Sequence, residues 1–320
     1  MMLPPTLLAC ALGALTVQAM STALPTKPNI VLFLQDDQDF VMGGWRPMNQ
    51  TLQLIAAKGL FATNWFIHTP VCCPSRAELL SGRYFHNLRM PTNAGGCMHV
   101  QTGIAGLEDK PNEHSFAKYL VQQRGYTAGW FGKHLNHCPA APPPGYDCPT
   151  CRFFANGGGH DEEPGGYVNA SFRDYEANAS AVNPQTSVSG QYKASTAGEF
   201  AGYTTSIIAN KSIEWLRKVA GQKDVSGATV PFVMTVASKS PHTAATVATW
   251  YREGTWVDNE SAPRTESFNV DPVLLAGHHA LIAGQGPLLP NEEKAIDMQF
   301  RKRWKSILCV AAHHHVPTYQ

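Results

Sequence analysis

Cys72 opens the run Cys72-Cys73-Pro74-Ser75-Arg76, and the residue types around it favour negative charge at this point of the chain. Pro74 suits the first turn of a helix that Gly82 would end, which places Cys72 at the helix start. Free backbone N–H groups and the helix dipole stabilise an anion or a thiolate there. Arg76, one turn along, would face back to the same place and add a positive charge. On physics alone two readings stand side by side. Cys72 is a reactive or anion-site residue, or Cys72 and Cys73 are a disulfide cysteine and a buried cysteine beside a helix cap.

Two more constellations follow strand-like segments. Ile30-Val31-Leu32-Phe33-Leu34 is a continuous apolar run, which predicts a buried parallel strand. It stops at Gln35-Asp36-Asp37-Gln38-Asp39, and the carboxyl end of such a strand is the usual ligand position in an open α/β sheet. Adjacent acids repel unless a cation joins them, so Asp36 and Asp37 are candidate metal ligands; the alternative is a turn cluster. Lys133 ends the second apolar segment and is a candidate anion-binding cation or a solvated strand end. His242, in Lys239-Ser240-Pro241-His242, is a candidate acid or a loop histidine.

The elements that must position these residues alternate in type. Helices are predicted over 48–58 (Leu52, Ile55 and Ala56 inward), 74–81, 114–124, 203–220 and 292–308. Strands are predicted over 30–34, 61–66, 126–131 and 231–237. The stretch 138–200 is rich in Pro, Gly, Asn and Ser and predicts a long irregular insert; 243–290 is loop-rich. Alternating strands and helices predict an α/β domain with a mainly parallel sheet flanked by helices.

The 320 residues are 43% hydrophobic and 15% charged, enough to bury a sizeable core. The net charge of +1 gives no reason to propose nucleic acid or an anionic membrane as a main partner. Residues 1–23 carry no charge and offer small-residue cleavage sites, which predicts a secretory signal peptide followed by a domain over 24–320. The apolar run is too short to span a bilayer, so no stable membrane span is expected. Asn49, Asn169, Asn178, Asn210 and Asn259 begin Asn-x-Ser/Thr sequons, which fit a glycosylated, exported protein, secreted or lysosomal. In an oxidising compartment some of the eight cysteines should pair. Cys148 and Cys151, with Cys138, could form disulfides or a zinc knuckle, and disulfides are preferred because no second matching pair exists. The tract His313-His314-His315 is taken as incidental.

Cys72-Cys73-Pro74-Ser75-Arg76 followed by Leu80-Ser81-Gly82-Arg83 resembles the sulfatase signature, Cys-x-Pro-Ser-Arg and then Leu-Thr/Ser-Gly. Three further stretches resemble that family in its own order: 28–37 its opening strand, Gly125-Tyr126-Thr127 to Gly132-Lys133 its second signature, and Lys239-Ser240-Pro241-His242 a later strand end. Asp36-Asp37-Gln38-Asp39, the doubled cysteine and Phe300-Arg301-Lys302-Arg303-Trp304 look most like N-acetylglucosamine-6-sulfatases and their arylsulfatase relatives.

The resemblance implies an alkaline-phosphatase-like fold. It implies that a formylglycine-generating enzyme oxidises Cys72 to Cα-formylglycine (3-oxoalanine) during export. The hydrated aldehyde would offer two hydroxyls: one attacks sulfur and expels the alcohol, and loss of the other's proton then releases sulfate. One calcium ion is implied, held by Asp36, Asp37 and an oxygen of the modified Cys72. Arg76 would hold the modified residue, Lys133 would bind sulfate oxygens, and His242 would protonate the leaving oxygen or contact sulfate; Lys239 is a weaker candidate. The implied substrate is a sulfated sugar, glycosaminoglycan-like and of the N-acetylglucosamine-6-sulfate type, or an aryl sulfate.

The chain departs from the pattern in two places. Many sulfatases carry a His two places after the signature Lys; here Leu135 stands there, between His134 and Asn136. The family also has a later strand ending in Asp-Asn-Gly or Asp-His-Gly, whereas Asp258-Asn259-Glu260 offers the dipeptide without Gly or a strand before it. The chain therefore reads as the N-terminal part of a sulfatase domain, incomplete at its C-terminal side and a weak enzyme unless a second segment completes it. The alternative is a non-catalytic secreted glycoprotein that binds sulfated glycans. A phosphoesterase of the same superfamily is disfavoured by Cys72, because those enzymes use Ser or Thr there.

Overall fold

The computed structural model describes residues 27–87, 114–136, 142–156, 167–168, 170–177, 187–193, 202–243, 245–275, 277–284 and 286–311. The predicted signal peptide, Asn169, Asn178, Cys97, Cys138 and the His313–315 tract lie outside these residues.

One six-stranded sheet organises the described residues. Its strands are β1 (Ile30–Leu34), β2 (Thr127–Lys133), β3 (Arg152–Asn156), β4 (Ser171–Ala177), β5 (Ser187–Lys193) and β6 (Phe232–Ala237), in the order β1-β6-β2-β3-β4-β5. The first four in that order run parallel, and β4 and β5 are antiparallel additions. The helices are α1 (Asn49–Leu54), α2 (Cys72–Ser81), α3 (Phe116–Arg124), α4 (Thr204–Val219), α5 (Ala280–Ala283) and α6 (Pro290–Ala311). This is the α/β architecture with a mainly parallel sheet that the alternation predicts.

Period-two alternation along β2 sends its side chains to two separate cores. Ala128 and Trp130 meet Ala77, Leu80 and Ala117 of α2 and α3 on one face. Phe131, with Phe154, Met234 and Val236, meets Ile208 and Trp215 of α4 on the other. Ser115 caps α3 by accepting a hydrogen bond from the Lys118 amide at 3.2 Å, and Gly125 ends it in the left-handed conformation.

Four expectations differ from the structure. The stretch 138–200 is not wholly irregular: it supplies β3, β4 and β5. Their polar residues hide the pattern, because the antiparallel pair needs alternation only on one face. Residues 61–66 form no strand, and Leu60, Phe61, Trp65 and Phe66 are exposed instead. Among the described residues β1 is an edge strand that pairs only with β6, and Ile30, Val31 and Phe33 are 37–46% exposed, whereas its apolar run predicts burial on both faces. The helix predicted over 48–58 is a short α1 followed by a 3₁₀ turn, Ala56–Lys58. Elsewhere the predicted helices and strands form within a few residues of the expected limits.

Cys148 and Cys151 form a disulfide, as preferred over zinc, and Cys73 is also disulfide-bonded. Asn49, Asn210 and Asn259 are exposed. No helix of the described residues is long and apolar enough to cross a membrane.

Candidate active site

Register alone brings the candidate residues to one end of the sheet. Leu34 pairs with Ala237, and Ala237 with Gly132, so the chain leaves β1, β6 and β2 at one level. Gln35-Asp36-Asp37, Ser238 to His242 and Lys133 emerge together. Gly132 has φ 103°, and a Cβ there would lie 2.0 Å from the Ala237 carbonyl oxygen, so only glycine lets β2 lie this close to β6.

Asp36 is the electrostatic centre. It is 2% exposed, and both its oxygens are taken: Oδ1 accepts from Arg76 Nη2 at 3.1 Å and Oδ2 from Lys133 Nζ at 2.6 Å. Burial pushes its pKa up, but the charges of Arg76 and Lys133 and the Lys133 hydrogen bond outweigh this, helped by His242, and hold it below the ordinary value. Arg76 also donates to the carbonyl oxygens of Lys133 at 2.6 Å and His134 at 3.4 Å, fixing the end of β2 against α2.

Asp37 has the opposite environment. Its φ of 64° is left-handed, which short polar residues tolerate better than most. The turn sends Asp36 inward and leaves the Asp37 carboxylate 46% exposed. Cys72 Sγ lies 4.0 Å from Asp37 Oδ1, and His242 Nε2 lies 3.7 Å from Oδ2. His242 Nδ1 donates to the Thr243 carbonyl, which can only accept, so Nε2 is the nitrogen left to face Asp37. Cys72 is a free thiol, part-exposed, at the first position of α2.

Asp36, Cys72 and His242 present ligand atoms within 4.8 Å of one another. With the thiol as encoded, sulfur, nitrogen and carboxylate suit a borderline metal better than calcium. Replacing sulfur by an oxygen, next to the second carboxylate of Asp37, turns the set into a hard, oxygen-rich one that fits calcium. Each carboxylate oxygen has two lone pairs, so Asp36 can ligate a cation while still accepting from Arg76 and Lys133. A cavity of about 440 Å³ opens here, lined by Asp36, Asp37, Thr69, Cys72, Ser75 and Arg76 among others.

The structure therefore brings together Asp36, Asp37, Cys72, Arg76, Lys133 and His242. Lys133 is turned onto Asp36 and does not line the cavity. Lys239 is buried beneath. His134 is fully buried behind the site, between the rings of Trp130 and Phe153, and both its ring nitrogens lack a hydrogen bond. Burial and the nearby Arg76 charge pull its pKa down to about 3. Two supporting residues escaped sequence reasoning. Arg303 of α6 donates to the Asp37 carbonyl at 2.6 Å and to the Pro241 carbonyl at 3.2 Å. Tyr167 donates to the His242 carbonyl at 2.7 Å and to the Lys239 carbonyl at 3.3 Å. Arg303 belongs to a run distinctive in sequence, but nothing in its spacing names that role; Tyr167 is concealed in the supposed insert.

A family model described as Sulfatase matches residues 28–279. The chain is 29% identical over 308 residues to N-acetylglucosamine-6-sulfatase of Homo sapiens, covering 96% of this chain and 50% of the relative. It is 30% identical over 277 residues to N-acetylglucosamine-6-sulfatase of Bos taurus, covering 86% and 44%. To the extracellular sulfatase SULF-1 homolog of Drosophila melanogaster it is 31% identical over 225 residues, covering 69% and 17%. The chain thus spans about half the length, or less, of these curated relatives. Among solved structures, yidJ from Bacteroides fragilis, described as a sulfatase, superposes with a TM-score of 0.56 at 17% identity, covering 90% of this chain and 57% of that one. That likeness shows the shared fold.

Proposed function

This chain belongs to the sulfatase family, and from that premise we propose that the cluster around Cys72 hydrolyses sulfate esters, of a sulfated sugar of the N-acetylglucosamine-6-sulfate type or of an aryl alcohol. The observation that carries the proposal is the placement of Cys72: first in α2, 4.0 Å from Asp37, beside a cavity at the carboxyl ends of parallel strands. In this reading Cys72 is converted to formylglycine during export, by a formylglycine-generating enzyme, and its hydrate supplies the nucleophilic oxygen. Asp36, Asp37 and that oxygen would hold one calcium ion, which lowers the pKa of the attacking hydroxyl and screens the sulfate charge.

The chain's own side chains do the rest. Arg76 holds Asp36 and the end of β2 in place, so the carboxylate needs no reorganisation when a cation or substrate arrives. Lys133 neutralises Asp36 from within, which keeps the carboxylate ionised, and its ammonium would be the cation nearest to bound sulfate oxygens on the β2 side. His242 turns Nε2 to the Asp37 carboxylate at 3.7 Å, and in this reading it gives a proton to the leaving alkoxide oxygen. Arg303 and Tyr167 hold the two loops that carry Asp37 and His242. Secretion and glycosylation at exposed Asn49, Asn210 and Asn259 belong to the same reading.

The test is release of sulfate from N-acetylglucosamine 6-sulfate and from an aryl sulfate, by the full chain made in its own host and supplied with calcium. Release that vanishes in Cys72→Ala supports the proposal. Tight binding of the sulfated sugar with no release in the unaltered chain would instead favour the non-catalytic glycan binder.

A further inference from the structure

We propose a second, non-catalytic anion site on α6 that takes a sulfate-bearing sugar residue of an extended sulfated glycan. The site is a cavity of about 400 Å³ whose lining includes Thr246, Arg252, Met298, Arg301, Lys302 and Lys305. That volume suits a small ligand such as one sugar ring with its substituents. The choice of a sulfated glycan among polyanions rests on the proposed function; the existence of an anion site does not.

Helical spacing builds the site. Met298, Arg301, Lys302 and Lys305 follow i, i+3, i+4 and i+7, so they share one face of α6. On a helix packed against a domain such a stripe is ordinarily apolar or else faces open solvent. Here three of its four members are cations, and the stripe faces a concavity closed on the other side by residues 245–247 and Arg252.

The charges of this cavity are not neutralised from within. Lys305 is paired, donating to Asp258 and to the Arg252 carbonyl. Arg301 donates to the Glu260 carbonyl at 3.0 Å, and its charge is partly offset by Asp297, whose pKa it helps to lower. Arg252 and Lys302 make no ion pair among the described residues. The nearby acids are committed elsewhere: Glu260 to Arg46 at 3.0 and 3.1 Å, and Asp297 to Arg264 at 3.0 and 2.9 Å. Two unpaired cations, Arg252 and Lys302, with the partly offset Arg301 beside them, attract a strong anion, and guanidinium forks match the oxygens of a sulfate. Thr246 and the Met298 side chain supply the polar and apolar wall that a sugar ring needs.

The arrangement is unlike the cations of the active site. Arg76 and Lys133 are buried on a carboxylate that belongs to the chain. Arg303, on another side of α6, is spent on the carbonyls of Asp37 and Pro241. One helix therefore braces the active site with one side and presents free charge with another.

The test is calorimetric titration of the full chain with a heparin-derived hexasaccharide, a hyaluronan hexasaccharide and a single-stranded DNA oligomer. The double variant Arg252→Glu, Lys302→Glu should bind the heparin fragment at least tenfold more weakly, with an unchanged melting curve; hyaluronan, which has carboxylates only, should bind the unaltered chain far less well. Asp37→Asn should keep the heparin affinity, which separates this site from the active one. Unchanged affinity in the folded double variant overturns the proposal, as does hyaluronan or DNA binding at least as tightly as heparin. Should the double variant itself fail to fold, Lys302→Ala alone must weaken binding about threefold, and no change there is equally fatal. Heparin binding that the double variant weakens, in a chain that releases no sulfate, would sink the proposed hydrolysis and leave this site standing.

Discussion

Two buried charges in this molecule are near mirror images. Asp36 is an anion clasped by two cations, Arg76 and Lys133. Arg152, the first residue of β3, is a cation clasped by Asp174 at 2.9 and 3.1 Å and by Glu214 at 3.1 Å, with Glu176 at 3.9 Å. Burial works against the charged form in both. In both the partners win: Arg152 is held above its ordinary pKa by Asp174, Glu176 and Glu214, and Asp36 is held below its own by Arg76 and Lys133.

What differs is the outer layer. Around Arg152 the acids are met in turn by Lys211 and Lys218, at 2.9 and 2.8 Å, so the network closes on itself at the surface and stitches β3, β4 and α4 together. Around Asp36 the outer layer is Asp37, Cys72 and His242, beside a cavity. A perturbed, buried charge is thus no mark of a site by itself. An open side lined with groups able to act on something else is what distinguishes Asp36 from Arg152.

The sharpest way to break this comparison is to neutralise each centre. Asp36→Asn should lose about 3–5 kcal/mol of stability in urea unfolding, because it strands the buried charges of Arg76 and Lys133; Arg152→Met should lose less, because its acids are part-exposed and are met by Lys211 and Lys218. Only Asp36→Asn should also abolish sulfate release per folded molecule; equal loss in Arg152→Met would erase the distinction. His134 gives the next largest effect. Its ring is kept neutral beside Arg76, with a pKa pulled down to about 3. A depressed base is protonated first in the unfolded chain, so stability is full above the ordinary pKa near 6.5 and falls toward pH 3, by on the order of 1.4 kcal/mol per pH unit. Melting curves from pH 7 to 4.5 should show that slope, and His134→Phe should flatten it.

Asp37→Asn sharpens the contrast from the other direction. Its carboxylate is about half exposed, so stability should change by less than about 0.5 kcal/mol while sulfate release drops at least a hundredfold. A rate within threefold of the unaltered chain would remove Asp37 from the site. Smallest of all, Glu214→Gln takes one exposed arm from the Arg152 network and should cost under about 1 kcal/mol, less in high salt, by thermal melting.

The site was more legible in the sequence than the sheet that holds it. Cys72, Arg76 and Asp36-Asp37 announce themselves because helix starts and strand ends leave sharp local signals in Pro, Gly and adjacent acids. β4 and β5 do not: their register is set by pairing with β3 and with each other, and polar residues such as Arg173 and Asp174 interrupt any apolar run. The run 30–34 is apolar enough to be central, yet only the pairing partners decide whether a strand is an edge. Arg303 reaches the Asp37 carbonyl across 266 residues, a contact that no local pattern encodes.

The central claim concerns one side chain, and one measurement reaches it directly. The full chain is made in its own host, reduced, alkylated and cut with trypsin, and the peptide 59–76 is examined by mass spectrometry with a hydrazide label for aldehydes. The expected result is an aldehyde at position 72 that takes the label, beside an alkylated thiol at Cys73. Complete alkylation of Cys72 as an ordinary thiol, with no labelled species, would contradict it.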